Sequence, residues 1–140
     1  MPQPVDQRTL AYVIVGGAIG VLGRAAIVGP VGDDVVPWVT LAINAAGSLL
    51  LGIVVGWLDD RHPRTRAFLG TGVLGGFTTY SAFAVQTALW VSTPWLAIGL
   101  AGASLTAGIA GAIAGLFVGR RIGRRIAGLP GEIEPPEDAR

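Results

Sequence analysis

The hydrophobic and polar positions of this chain fall into long apolar runs separated by short charged clusters. Charges gather at the N-terminus, around Asp33 and Asp34, between Asp59 and Arg66, and after Gly119. The runs between these clusters are long enough to cross a bilayer, which takes about 20 mostly apolar residues. The pattern predicts an all-α integral membrane protein.

Four transmembrane helices are predicted, over about 10–28, 36–58, 67–91 and 95–119. The uncharged segment from 67 to 119 is too long for one crossing at about 1.5 Å per residue, so we divide it before Pro94. Small residues at steps of four in the last helix favour tight packing. Residues 1–9 form a short N-terminal tail, and residues 120–140 are expected to be a basic, then acidic, disordered C-terminal tail.

The third helix is predicted to break in mid-membrane, over the sequence GGFTTYSAF from Gly75 to Phe83. Two adjacent glycines weaken the helix, and the hydroxyls of Thr78 and Thr79 compete for backbone hydrogen bonds. Unwound backbone at membrane depth is tolerated only where protein buries it or where it lines a polar cavity. We therefore expect an ion or substrate site here, made from freed carbonyls and half-helix ends.

The second helix carries one polar stripe, at Thr40, Asn44, Ser48 and Gly52. In lipid such a stripe faces protein or water. Hydrogen bonding between helices accounts for the hydroxyl residues equally well. An amide in mid-membrane needs several partners, so Asn44 is the stronger functional candidate.

The arginines are distributed unevenly between the two sides of the predicted bundle. An even number of crossings places both termini and the 59–66 loop on one side, which carries every arginine except Arg24. The positive-inside rule then predicts a multi-pass protein of the cell inner (plasma) membrane with both termini in the cytoplasm. Arg24 either snorkels to the headgroups or stands at the mouth of an aqueous vestibule, where it would concentrate anions.

Composition argues against several classes of function. The chain has no cysteine, which excludes disulfide and thiol chemistry. Its one histidine, His62, has no recognisable second residue with which to bind a metal. No nucleophile, base or metal cluster converges, so we do not expect an enzyme. A net charge of +1 gives no reason to expect a nucleic-acid partner.

Two motifs give the chain a resemblance to the Fluc/CrcB fluoride ion channel family. The second helix reads TLAINAAGSLLLG from Thr40 to Gly52, similar to the family pattern TLxxNxxGSxxxG. The segment from Gly75 to Phe83 is similar to the family pattern GGxTTFSTF. Glycines of the first helix followed by Arg24 also fit, and the resemblance covers nearly the whole membrane region.

The resemblance implies a fluoride-specific ion channel that lowers cytoplasmic fluoride by passive export and gives fluoride resistance. It implies an antiparallel (inverted) dimer with two pores and a structural sodium ion (Na+) at the dimer centre, which is not transported. The backbone carbonyls of Gly75 and Thr78 would hold this ion. By matching position, the fluoride pathway would involve Arg24, Asn44, Tyr80, Ser81, Phe83 and Ser104.

Four positions depart from the family pattern. Tyr80 and Ala82 replace phenylalanine and threonine, Gln86 stands where many members have glutamate, and Leu100 where many have tyrosine. The lost polar groups and the arginine asymmetry together predict one half of a heterodimer with an oppositely oriented family subunit, in which at least one pore is partly degenerate.

Two other interpretations remain open from the sequence. A small-multidrug-resistance-like antiporter also uses four short helices, but it needs a carboxylate within the membrane. Every acid of this chain lies outside the predicted helices. A non-conducting membrane assembly subunit would use the glycine stripes and the broken helix for packing alone.

Overall fold

Helices make up nearly all of the computed structural model, which describes residues 6–58, 62–89 and 92–127. In chain order they are α1 (Gln7–Val28), α2 (Val36–Leu58), α3 (Pro63–Arg66), the π-helical segment π1 (Ala67–Leu74), α4 (Gly75–Phe77), α5 (Tyr80–Leu89) and α6 (Pro94–Ala127). In the described part of the chain, α1, α2 and α6 are long and apolar enough to cross a membrane. The predicted all-α membrane class is confirmed.

Helix α1 begins three residues before the predicted start because Asp6 caps it. The Asp6 carboxylate accepts hydrogen bonds from the Thr9 hydroxyl at 2.8 Å and from the Arg8 N–H at 3.1 Å. An acidic side chain in this position satisfies amide groups that the first helical turn leaves unpaired. These two hydrogen bonds, that of Thr9 foremost, hold the pKa of Asp6 below its ordinary value.

Large apolar side chains point outward and small residues lie at the helix contacts. Leu22, Ile98 and Leu105 are all more than half exposed, as expected for side chains that face lipid. At the contact of α2 with α6, a Cβ atom added to Gly56 would lie 2.9 Å from the backbone nitrogen of Arg120. The two backbones therefore approach each other directly, which is the packing that small residues permit in membranes.

Two tightly packed pairs make up the protein. Helix α2 packs mainly on α6, and α1 packs on π1 and α4. The second pair also meets backbone to backbone, since a Cβ atom added to Gly72 would lie 3.0 Å from the Val13 carbonyl oxygen. The pairs meet where α2 packs on π1, α4 and α5, on both sides of the interruption of the third helix.

The predicted break in the third helix is confirmed. Helix α4 ends at Phe77, Thr78 has extended backbone angles (φ −79°, ψ 156°), and helical structure resumes at Tyr80. The π-helical turns before the break are a feature that the sequence pattern did not predict. There the Gly75 N–H reaches the Gly70 carbonyl five residues back. Wide turns of this kind are frequent at functional sites.

The predicted end of the last helix was wrong. Helix α6 continues to Ala127, so residues 120–127, which we expected to open a disordered tail, are helical. Arginine is a good helix former and is favoured near a helix C-terminus, so the basic cluster prolongs the helix. The rest of the predicted tail, 128–140, and the end of the predicted third helix, 90–91, lie outside the described residues.

Candidate functional site

A cleft of about 530 Å³ opens between α2, the break and α6. Five of the residues predicted for the site line it: Asn44, Gly75, Thr78, Tyr80 and Ser104. The polar stripe of α2 contributes the first, the broken segment the next three, and α6 the last. The fold thus brings together residues that stand up to 60 positions apart in the sequence.

Asn44 holds the broken segment through both ends of its side-chain amide. Its Nδ2 donates to the Thr79 carbonyl at 3.0 Å, and its Oδ1 accepts from the Thr79 N–H at 2.9 Å. These two partners fix which end of the amide is oxygen. Thr79 is only 8% exposed, so both backbone groups would otherwise be buried without this partner. The amide thus replaces hydrogen bonds that the interrupted helix cannot make.

Thr79 also begins the helix that follows the break. Its Oγ1 accepts a hydrogen bond from the Ala82 N–H at 3.1 Å and lies 3.1 Å from the Ser81 Oγ. This is the N-cap arrangement, in which a hydroxyl satisfies an amide of the first turn. Thr79 is not among the site residues predicted from the sequence. A threonine directly before a resumed helical pattern was the signal that could have found it.

The backbone carbonyls of Gly75 and Thr78 are predicted to hold a cation. The N–H groups that would donate to them in a continuous helix bond to other acceptors. In an α-helix, Gly75 would accept from the Thr79 N–H and Thr78 from the Ala82 N–H. The first of these donors bonds to Asn44 and the second to the Thr79 hydroxyl. Both carbonyls belong to residues that line the cleft.

Thr78 is fixed in its extended conformation from two directions. Its N–H and its hydroxyl both donate to the Leu74 carbonyl, each at 3.0 Å. Its methyl group lies against Gly47 of α2, where an added Cβ atom would collide with it. Gly47 is therefore required for the close approach of the break to α2.

Arg24 lies apart from this cleft. It lines a second cavity of about 370 Å³, between α1 and α2, together with Thr40, Thr79 and Ala82. Its Nε is buried and finds no hydrogen-bond partner among the described residues. Thr79 lines both cavities and therefore stands between them.

The remaining predicted site residues differ in their surroundings. Tyr80 is 82% exposed in this single chain, whereas the buried Ser104 Oγ has no partner within the described part of the molecule. Ser81 contacts the Thr79 hydroxyl and is not among the residues that line the cleft. Phe83 lies in α5, and its side chain is outside the described structure.

The site offers oxygen atoms for a metal mainly from the backbone. No group of three or more His, Asp or Glu side chains lies together in the ranges that the structure describes. The oxygens at the break belong to carbonyls and hydroxyls, which are ligands that hard cations accept.

We predict that Asn44→Ala destabilises the protein by about 2–3 kcal/mol, because two hydrogen bonds of about 1 kcal/mol each are lost and buried backbone groups stay unpaired. Amide hydrogen exchange at Thr79 should become faster. The control is Ser48→Ala, one turn further along the same stripe, which should leave exchange at Thr79 unchanged. Unfolding of the detergent-solubilised chain and site-resolved exchange check both. Equal behaviour of the two variants would show that the amide does not hold the break.

Comparison with known proteins places these features in a family. The family model described as "CrcB-like protein, Camphor Resistance (CrcB)" matches residues 11–116. That range contains the Asn44 stripe, the break and Ser104, together with most of the four predicted helices.

Three relatives illustrate the similarity. The chain is 46% identical over 112 residues to the protein named Fluoride-specific ion channel FluC of Novosphingobium aromaticivorans, covering 72% of this chain and 87% of that protein. It is 42% identical over 119 residues to Fluoride-specific ion channel FluC 2 of Halobacterium salinarum, covering 79% and 86%. It is 40% identical over 105 residues to Fluoride-specific ion channel FluC 2 of Bacillus licheniformis, covering 73% and 80%. Together with the membrane-spanning helices, these matches show that the chain is a multi-pass plasma membrane protein of the CrcB family.

Proposed function

We propose that this chain is a subunit of a fluoride-specific ion channel that lowers cytoplasmic fluoride by passive export. The observation that carries the proposal is the break held by Asn44, which opens onto a largely apolar cleft whose few polar groups are uncharged. Such a lining binds an ion weakly enough for the ion to leave again, as conduction requires. The choice of fluoride rests on the relatives' names and not on the residues.

The proposed fluoride pathway follows the two cavities. Arg24 attracts anions at the entrance, where its buried Nε is free of partners among the described residues. Asn44 has a second N–H on Nδ2 besides the one that bonds to Thr79, and Ser104 has a hydroxyl to donate. Tyr80 and Phe83 offer the electropositive edges of their rings, which attract an anion without trapping it. Ser81, whose hydroxyl contacts that of Thr79, would contribute a further polar group beside the break.

A structural sodium ion fits the backbone oxygens at the break. The carbonyls of Gly75 and Thr78 have lost their usual helical donors. Two inverted copies of the segment would together supply twice as many of these carbonyl oxygens as one copy does. Carbonyl oxygens suit a hard cation. We propose that this ion stands at the dimer centre, holds the subunits together and is not transported.

The subunit arrangement that we propose is an antiparallel heterodimer with two pores. Each subunit would cross the membrane four times, the third time through the broken segment 67–89, with both termini in the cytoplasm. The arginine asymmetry favours one fixed orientation, so the partner would be a second family member inserted the other way round. The numeral 2 in the names of two relatives is consistent with organisms that have more than one such chain.

The alternative functions have less support. An antiporter of the small-multidrug-resistance type needs an acid within a helix, and the acids in the described ranges are Asp6, which caps α1, and Asp33 and Asp34 in the α1–α2 loop. A non-conducting assembly subunit would explain the glycine contacts. It gives no reason for a buried Ser104 hydroxyl that lines the cleft and has no partner among the described residues.

We expect the purified chain alone to release fluoride from liposomes slowly, and the chain together with its inverted partner to release it rapidly. Chloride release should be slow in both cases. An ion-selective electrode measures both rates. Full fluoride release from the single chain would disprove the heterodimer and leave the channel proposal standing, whereas equal release of chloride would contradict selectivity.

We expect Phe83→Ile to lower fluoride efflux at least tenfold while the dimer stays intact, because the electropositive ring edge is lost from the pathway. The control is Phe117→Ile, at a phenylalanine of α6 that is 63% exposed and away from the cleft. Efflux and cross-linked dimer yield are measured in parallel. Unchanged efflux from the Phe83 variant would favour the assembly subunit over the channel.

We expect replacement of sodium by N-methylglucamine to weaken the dimer and to lower fluoride efflux, and readdition of sodium to restore both. Because the proposed ligands are backbone carbonyls, Thr78→Ser, which keeps the hydroxyl that bonds to the Leu74 carbonyl, should leave this dependence in place. Dimer dissociation in detergent gives a readout separate from efflux. A dimer equally stable in both media would contradict the sodium site.

A further inference from the structure

A basic pocket of about 370 Å³ lies at the end of α2, away from the cleft and from Arg24. It is bounded by the last turn of α2, by the end of α3 and by α6. The residues that line it are Val55, Gly56, Trp57, Arg66, Leu116, Arg120, Gly123 and Arg124. Three arginines thus converge from two separate helices.

Close packing of α2 on α6 places these arginines around the pocket. A Cβ atom added to Gly119 would lie 2.9 Å from the backbone nitrogen of Trp57, and one added to Gly123 would lie 3.3 Å from the Trp57 carbonyl oxygen. The helices therefore stay in backbone contact to the last turn of α2. Arg120 and Arg124 are four residues apart, which puts them on one face of α6 beside that contact.

One side of the pocket is apolar and the other side is positively charged, as expected at a membrane interface. Leu116 and Val55 form an apolar wall on the side where α6 is still uncharged, and the arginines form the other side. Trp57, one residue before the end of α2, is 41% exposed, as tryptophans at the headgroup level commonly are. Within the described lining there is no acidic side chain.

We propose that this pocket binds the headgroup phosphate of an anionic phospholipid. Arginine recognises phosphate through paired, charge-assisted hydrogen bonds, and basic pockets between membrane helices bind anionic headgroups. The apolar wall accommodates the start of an acyl chain. A bound lipid would tie together the end of α2, the beginning of the third membrane segment and α6. This inference does not depend on the ion that the channel conducts.

The chain provides a matched control for the charges. Arg121 and Arg125 lie on the same turns of α6 as Arg120 and Arg124 but do not line the pocket. Diffuse attraction to a charged surface would be reduced equally by removal of either pair. A defined pocket predicts unequal effects.

The experiment titrates the full-length protein in neutral detergent with phosphatidylglycerol, with phosphatidylcholine and with inorganic phosphate, and follows thermal unfolding. We expect phosphatidylglycerol alone to stabilise the protein. The variant R120Q/R124Q should need at least tenfold more of this lipid for half of the effect, and R121Q/R125Q less than about twofold more. The single variant R124Q replaces the double variant if that one does not fold, with R125Q as its control.

Three outcomes would overturn the proposal. Equal losses from the two pairs would indicate diffuse surface attraction. Equal stabilisation by inorganic phosphate would indicate a site for a soluble anion. A loss of stability in R120Q/R124Q without lipid, with an unchanged response to lipid, would indicate that the arginines serve as partners for acids of the chain, such as Asp59 and Asp60, which directly follow α2 in the sequence.

Discussion

The pairing of one side-chain amide with one backbone residue holds the break in the third helix. Asn44 takes both the N–H and the C=O of Thr79, which lie where a helix has stopped. A buried backbone group without a partner is costly, so an interruption at membrane depth needs partners of this kind or a polar cavity. The amide and the Thr79 hydroxyl also occupy the donors that would have paired with Gly75 and Thr78. One polar residue on a neighbouring helix thus holds the break and, with the Thr79 hydroxyl, removes the usual helical donors of two carbonyl oxygens.

Much of this could be predicted from the sequence because the signals were local. The bounds of α2 follow from an apolar run between charged clusters, and the weak point of the third helix follows from adjacent glycines and threonines. The stripe that contains Asn44 follows from a spacing of four residues. Such patterns reflect helix propensity and the exclusion of charge from lipid, which act over a few turns.

What could not be predicted depends on contacts between distant segments or on competing local tendencies. The partner of Asn44 is a backbone group, which carries no residue-type signal, so Thr79 was missed. The π-helical turns of π1 adjust the chain to α1, with which it packs backbone to backbone. The C-terminal end of α6 was predicted too early, because the first arginines after Gly119 were taken to end the helix. These arginines end only the part of the helix that lies in lipid. The convergence of Arg66 with Arg124 joins residues nearly 60 positions apart.

The division into two glycine-locked pairs has a mechanical consequence. From Pro94 to Gly119, α6 carries about 39 Å of uncharged helix, whereas the hydrocarbon core is about 30 Å thick. Helices longer than the bilayer accommodate the difference by tilting. Because α6 is packed backbone to backbone on α2, these two helices must lean together, whereas α1 packs in the same way on π1. A change in bilayer thickness would therefore shift one pair of helices relative to the other. The hydrogen bonds of Asn44 to Thr79 lie at the boundary between the two pairs and would oppose this shift.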